Sequence, residues 1–275
     1  MSILIADSGG TKTDWALAEQ SKSEIIKGTG LHPSYMTVDQ IERYIREDIK
    51  IVPERIYFYG AGCHGDKPKS KITKALKKVF PLAKIDVMDD LTGAARAHLQ
   101  NSEGIVALFG TGSICGRCKS GNIIERSASL GYAIGDEGSA ADLGRSIIKA
   151  YFRRALDLET KELVEHFLVE KSYSDLMSRI YSSERPNREL AMVAGNILSN
   201  PLTVQLKELI LVRFTEFIDT QLAMLVPSSD ERIVCTGKVA IAHADILLEA
   251  MATRGLKKVN ISRNIIEGLV RYHTA

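Results

Sequence analysis

The sequence predicts an α/β protein of two related lobes facing each other across a cleft, and three observations carry that expectation. A strand, a glycine turn rich in hydroxyls and a second strand open the chain over residues 3–18. The same signature returns over residues 105–117, around Gly110-Thr111-Gly112-Ser113. Between and after these hairpins, short β-rich runs alternate with stretches of helical period, an arrangement that leaves loops at the carboxyl ends of strands, where ligands gather.

In order, Ile3-Leu4-Ile5-Ala6 runs apolar into Asp7 and an apolar run resumes at Trp15, so a hairpin with an acid at its mouth is expected. Gly9 and Gly10 let backbone N–H groups approach a ligand, while Thr11, Lys12 and Thr13 add hydroxyls and a cation. Such a nest suits phosphate, and Asp7 suits a magnesium ion shared with phosphate oxygens. Taken alone, an ordinary glycine-rich turn explains the stretch as well or better. It is not a Walker A loop, because Thr11 stands before Lys12 where Gly is required and a strand follows instead of a helix.

Residues 23–27 read as a strand, and the Gly- and Pro-marked loop after it carries His32. Val38, Ile41, Ile45 and Ile49 share one face of an amphipathic helix. A strand at 55–59 runs into the loop Gly60-Ala-Gly-Cys-His-Gly65. The helix over 67–79 holds six lysines and is read as a solvated basic face, not an anion site. The strand 84–88 runs into Asp89 and Asp90, and a helix is expected over 91–99. Residues 100–104 form a polar break, the first plausible domain boundary.

After the second hairpin, with strands at 105–109 and 114–117, a glycine-punctuated loop over 130–139 carries Gly135, Asp136 and Glu137. From Ala140 the pattern is helical: three helices up to Pro186, a fourth over 190–198, and one long helix over 204–225. A strand at 232–236 meets a third glycine junction, Gly237-Lys238, followed by a helix over 243–254, an extended segment at 256–261 and a short helix over 264–272.

Composition excludes several classes. Apolar content of 45%, charged content of 25% and a net charge of +2 are those of an ordinary soluble globular protein, with no case for nucleic acid or membrane surfaces. No apolar run reaches the roughly 18 residues of a membrane span, and no leader pattern precedes Asp7, so a cytoplasmic protein is expected. Cys115 and Cys118 have CxxC spacing, but Cys63 and Cys235 lie far off and no histidine pattern completes a zinc set, so coincidence is preferred over a metal or redox pair.

Phosphoryl transfer needs a phosphate cradle, a metal-holding acid, a carboxylate to take the proton of the accepting hydroxyl, and cover for the base. Asp7 with Gly9-Gly10-Thr11, the strand-end Asp90, Gly110–Ser113 and Thr236-Gly237 can fill all four. With these motifs the sequence resembles ATP-dependent sugar kinases of the actin, hexokinase and heat-shock-protein ATPase superfamily. More closely it resembles the bacterial N-acetylglucosamine kinase-like proteins, grouped with the ATPases that activate benzoyl-CoA reductase and hydroxyacyl-CoA dehydratase. Residues 7–14, 57–63, 109–113, 131–139 and 266–273 carry the resemblance, which spans nearly the whole chain.

The resemblance implies two ribonuclease-H-like, actin-like ATPase lobes: residues 1–100, joined by the last helix at 264–275, and residues 101–263 with a helical insert at about 140–225. It implies ATP and Mg2+ as cofactors, a homodimer, and an amino-sugar substrate, N-acetylglucosamine or a relative. Gly9, Gly10, Thr11 and Lys12 would wrap the ATP phosphates from one lobe, and Gly110, Thr111, Gly112 and Ser113 from the other. Asp7 would orient the metal, Asp90 would be the general base, and Gly237 with Lys238 would form the adenosine turn. His32, Asp90, Ser113, Ile114, Gly135 and Asp136 would face the sugar. Asp89, on the opposite side of an extended segment, would be structural.

Three residues depart from the pattern: His32 and Ile114 stand where the group usually has Asn, and Lys238 where it commonly has Ser. Losing the donor and acceptor of an Asn weakens the hold on a sugar hydroxyl or acetamido group, so altered sugar recognition is expected. A muramic acid derivative, whose carboxylate would suit His32 or a lysine, is one alternative. An activator-type ATPase with cysteines at a dimer seam and a nucleotide-binding protein without catalysis are the others.

Overall fold

The register of the first hairpin follows from its apolar alternation. Ile3–Ser8 (β1) and Lys12–Glu19 (β2) pair antiparallel, with Asp7 opposite Asp14 and Ser8 opposite Thr13. These elements belong to a computed structural model that describes residues 2–19, 22–170 and 172–275. The chain divides into two compact units, Met1–Glu103 with Cys118–Ile123 and Asn264–Ala275, and Gly104–Arg117 with Ile124–Arg263.

In the first unit, Lys22–Thr29 (β3) pairs antiparallel with β2, while Arg55–Gly60 (β4) and Lys84–Asp89 (β5) add in parallel beyond β1. The order is β3-β2-β1-β4-β5. Val38–Asp48 (α1) starts at a capping box in which Thr37 and Gln40 satisfy each other's backbone N–H groups. With Asp66–Val79 (α2) it covers one face of the sheet, burying Ile41, Ile45, Ile72 and Leu76 against Leu4, Trp15 and Phe58. Each such large apolar side chain contributes roughly 1.5–3 kcal/mol of burial. The basic face of α2 ties its neighbours down: Lys71 donates to the Pro33 carbonyl in the loop before α1 at 2.7 Å, and Lys78 meets Asp39 in the first turn of α1 at 2.6 Å. Asp90–Leu99 (α3) and Ile265–Thr274 (α11, the last helix) cover the other face, over Ile5, Ala16 and Tyr59.

The second unit repeats the plan. Gly104–Phe109 (β6), Ser113–Lys119 (β7), Asn122–Arg126 (β8), Ile233–Thr236 (β9) and Val259–Ser262 (β10) form a sheet ordered β10-β9-β6-β7-β8. Taken from its β8 edge, that is the order of the first sheet. Ala140–Phe152 (α4), Leu158–Phe167 (α5), Tyr173–Ser182 (α6), Pro186–Leu198 (α7) and Val204–Phe217 (α8) follow the hairpin, and Lys238–Ala242 (α9) and Ala244–Thr253 (α10) follow β9. Side chains of Ser139, Asp157, Ser172 and Thr203 cap α4, α5, α6 and α8.

Three expectations change. Pro186 opens α7 instead of closing a helix, since a proline in the first turn gives up an N–H that had no intrahelical partner. The long helix expected over 204–225 is α-helical only to Phe217; Ile218–Leu222 is a π-helical turn and Ala223–Leu225 a 3-10 turn. Asp89 and Asp90 do not lie on opposite sides of an extended segment: Asp89 is the N-cap of α3 and Asp90 its first residue.

The CxxC spacing falls on β7, where residues three apart point to opposite faces, so Cys115 and Cys118 do not form a pair. All four cysteines are free and buried, and burial pushes the Cys63 and Cys115 thiols up to about 12. Among the described residues no helix is long and apolar enough to cross a membrane.

Candidate active site

In the first unit the hairpin turn is locked from below by two buried hydroxyls. Ser8 Oγ and Thr13 Oγ1 are 2.8 Å apart, Thr13 donates to the Thr29 carbonyl at 2.7 Å, and the Leu31 N–H donates to Ser8 at 3.0 Å. Gly9 N–H closes the turn on the Lys12 carbonyl at 2.9 Å, and Gly10, Thr11 and Lys12 are exposed at its apex. Lys12 Nζ reaches Asp14 Oδ2 at 2.6 Å.

Three carboxylates converge behind that apex. Asp7 has its carboxyl pushed up to about 7, first by burial and then by the charges of Asp90 and Asp14, with Lys12 opposing. Asp14 Oδ1 is buried without a hydrogen-bond partner. A buried carboxylate oxygen with no donor, beside an acid that resists ionisation, fits a divalent cation. Among the described residues no three His, Cys, Asp or Glu side chains could hold a metal by themselves, so phosphate and water would complete its shell.

Asp89 and Asp90 differ in kind. Asp89 Oδ1 accepts from the Thr92 N–H at 2.8 Å and the Thr92 hydroxyl at 2.7 Å, and His64 Nδ1 lies 3.5 Å from its Oδ2. Asp90 Oδ1 accepts the adjacent Leu91 N–H at 3.0 Å and stands at the positive end of α3, which favours a negative charge there. His32 is half-buried, its ring 4.6 Å from that of Tyr35, with Nδ1 accepting the Ser34 N–H at 3.3 Å. It packs on Gly62, where φ is +72° and a Cβ would come 2.5 Å from Cε1, so that position needs glycine.

In the second unit, Gly110 N–H closes its turn on the Gly112 carbonyl at 2.9 Å. The first N–H groups of α4, from Ala140 and Ala141, end on the carbonyls of Gly110 and Thr111 at 2.9 and 3.2 Å. Asp136, with φ at +57°, lays its carboxyl against Gly112 and accepts the Ser113 N–H. Burial pushes Asp136 up to about 6, Glu137 and Asp142 add to the rise, and the Ser113 N–H and Arg145 oppose it. The buried Ser113 hydroxyl is committed to the Glu137 carbonyl at 2.7 Å and the Ser113 N–H to Asp136, so Ser113 shapes the site from within instead of offering a ligand its own donors.

The loop carrying Asp136 is pinned at several points. Gly135 N–H bonds the Gly131 carbonyl at 2.9 Å. Asp142, only 1% exposed, accepts from Gly138 N–H at 2.9 Å, Arg213 at 2.7 Å and Arg145 at 2.7 Å. Arg145 also donates to the carbonyls of Tyr132 and Ala133 at 2.5 and 3.1 Å. Gly237 ends β9 with φ at +103°, and a Cβ there would overlap the Phe109 backbone; Lys238 follows it, exposed, as the first residue of α9. Ile114 is partly buried on β7, on the opposite side of the strand from Ser113.

The first unit thus brings Asp7, Gly9–Lys12 and Asp90 together, with His32 on a loop nearby held by its own neighbours. The second brings Gly110–Ser113, Gly135 and Asp136 together and sets Gly237 against the end of β6. Sequence reasoning gave no role to Asp14, Asp142 or Gln221. Asp14 was within reach, since counting back from the turn pairs it with Asp7. The Ser139-Ala-Ala-Asp142 spacing is a helix-start signal but says nothing of two arginines converging on its acid.

No family model matches the sequence. The N-acetylmuramic acid/N-acetylglucosamine kinase of Clostridium acetobutylicum is 31% identical over 206 residues, 67% of this chain and 66% of that protein, so the chain spans just under two thirds of its length. A crystal structure of a candidate N-acetylglucosamine kinase from Porphyromonas gingivalis superposes with a TM-score of 0.89 at 30% identity, covering 98% of both chains. The chain belongs to the N-acetylglucosamine kinase family. A further candidate of that description, from Chromobacterium violaceum, shares the fold at a TM-score of 0.75 and 18% identity. The N-acetylglucosamine kinase family carries the actin-like ATPase fold, of which the two five-stranded sheets are the cores, and a kinase family implies ATP as phosphoryl donor.

Proposed function

We propose that the protein is a magnesium- and ATP-dependent amino-sugar kinase that transfers the γ-phosphate to a hydroxyl of N-acetylglucosamine or a close relative such as N-acetylmuramic acid. What supports it above all is the meeting of Asp7, Asp90 and the hairpin turn in a member of this family. In this proposal the two units are the two lobes, Asp90 is the general base, and Asp7, aided by Asp14, orients magnesium, which neutralises the phosphates. The Gly9–Lys12 and Gly110–Ser113 turns bind phosphate oxygens through N–H groups other than those of Gly9, Gly110 and Ser113, which close the turns or meet Asp136, and Gly237 with Lys238 receives the adenosine. Asp136 and Gly135 hold sugar hydroxyls, and His32 and Ile114 shape the rest of the pocket. A homodimer belongs to the proposal on the family resemblance alone.

Asp90 works chiefly by position. Holding the acceptor hydroxyl on the base and in line with the γ-phosphate converts an encounter into an oriented attack, and the base removes the proton as the bond forms. An activator-type ATPase would need cysteines at a subunit seam, and all four are buried with 0% exposure.

A coupled assay of ADP release with N-acetylglucosamine, N-acetylmuramic acid, glucosamine and glucose tests the proposal. Turnover on the N-acetylated sugars is expected, and none on any of the four would overturn it. A second expectation concerns pH. Ionised Asp136 accepts sugar hydroxyls more strongly than the neutral acid, and its pKa is raised to about 6, so sugar binding strengthens as pH rises through 6 and weakens below it. Calorimetric titration of sugar without nucleotide should show that slope, and Asp136→Asn should flatten it at the weaker level.

A further inference from the structure

Gln221 is a polar side chain where the core calls for an apolar one. It lies in the π-helical turn Ile218–Leu222, is 6% exposed, and neighbours Ile218 at 4% and Leu222 at 0%. A buried carboxamide costs stability unless its bonds are made, and these are. Its Nε2 donates to Glu137 Oε2 at 2.7 Å and to Ser113 Oγ at 3.1 Å, and its Oε1 accepts from Ser127 Oγ at 3.2 Å. Ser127 in turn accepts the Cys115 N–H at 3.1 Å, so the network is anchored on β7.

The π-helical turn accounts for the geometry. One extra residue in the turn shifts the helical register by a position, and such insertions are frequent at functional sites. Here the shift comes where α8 ends, and it delivers a carboxamide to two loops that lie more than eighty positions earlier in the sequence.

We infer that Gln221 is a positioning residue of the sugar site: by holding the Ser113 hydroxyl and the Glu137 carboxylate together it fixes the Gly110–Ser113 turn against the 131–139 loop, and so sets Asp136. Asp136 is bracketed by this link, because it is adjacent to Glu137 and accepts the Ser113 N–H. The inference rests on the amino-sugar kinase proposal and names a residue on which that site depends without touching substrate.

Three variants test it: Gln221→Leu, which removes all three bonds; Gln221→Glu, which keeps the volume and sets two carboxylates face to face; and Gln221→Glu with Glu137→Gln, which restores the pair with donor and acceptor exchanged. The expected result is a sugar KM raised about tenfold in both single variants, with kcat changed by less than about threefold. The double variant should recover KM to within about threefold of the starting value. A purely structural residue would lower the melting temperature of Gln221→Leu and leave KM alone, and that result would overturn the role. Should Gln221→Leu fail to fold, an unchanged KM in Gln221→Glu overturns it equally. Wild-type turnover separates the two failures: without it the kinase proposal falls and takes this role with it, whereas wild-type turnover with unmoved KM in the variants removes Gln221 alone.

Discussion

Replacing Asp90 by Asn is expected to lower kcat about 10³-fold, within the span that loss of a general base produces. Asn keeps the size of the side chain and an Oδ1 to accept the Leu91 N–H, so the first turn of α3 stays intact. ATP and sugar dissociation constants should therefore stay within about threefold, because only proton removal is lost. A side effect has a definite sign. Asp90 is one of the charges that push Asp7 up, so removing it lets Asp7 ionise at lower pH, and magnesium binding should not weaken. Steady-state ADP release with calorimetry on each ligand reads all of this. A kcat within tenfold of wild type would remove Asp90 from the role of base.

The largest stability effect is expected at Asp142. Asp142→Ala deletes an acceptor that is 1% exposed and serves two arginines and a backbone N–H. Breaking a buried pair by removing one partner costs about 3–5 kcal/mol, but the Arg213 and Arg145 side chains are 19% and 36% exposed and regain some water. About 2–4 kcal/mol is the expected loss, a fall in melting temperature on the order of 5–15 °C. Because Arg145 also holds the Tyr132 and Ala133 carbonyls, the 131–139 loop loosens and the sugar KM should rise with it. Thermal unfolding by circular dichroism measures the first effect and the kinetic assay the second; a melting temperature moved by less than about 2 °C would show that the arginines do not depend on this acid.

How much of this was legible depends on the range over which the physics acts. The β1–β2 hairpin, the α1 face of Ile41 and Ile45 and the strand end before Gly110 could be read because alternation, helical period and glycine turns are local. The geometry around Asp89 and Asp90 was misread because a strand that passes directly into a helix leaves no loop to mark the change, and the capping bond from Thr92 to Asp89 is visible only in the fold. The π-helical turn was invisible for a different reason. Ile218, Leu222 and Leu225 fit a continuous α-helical stripe, and the partners that Gln221 meets in the π-turn, Ser113 and Glu137, are far away in sequence. The arginines around Asp142 belong to the same class, with Arg213 a whole helical insert away.

Helix α11 has a consequence for how the chain is made. The face of the first sheet that carries Ile5, Ala16 and Tyr59 is covered by Ile266 and Leu269 together with α3, so that small core is complete only when a helix far downstream in the sequence has docked. During synthesis α3 alone covers that face while the second unit is produced and can fold on its own contacts. A chain stopped short of α11 would leave Ile5, Ala16 and Tyr59 with the cover of α3 alone, a lesion that sequence distance conceals.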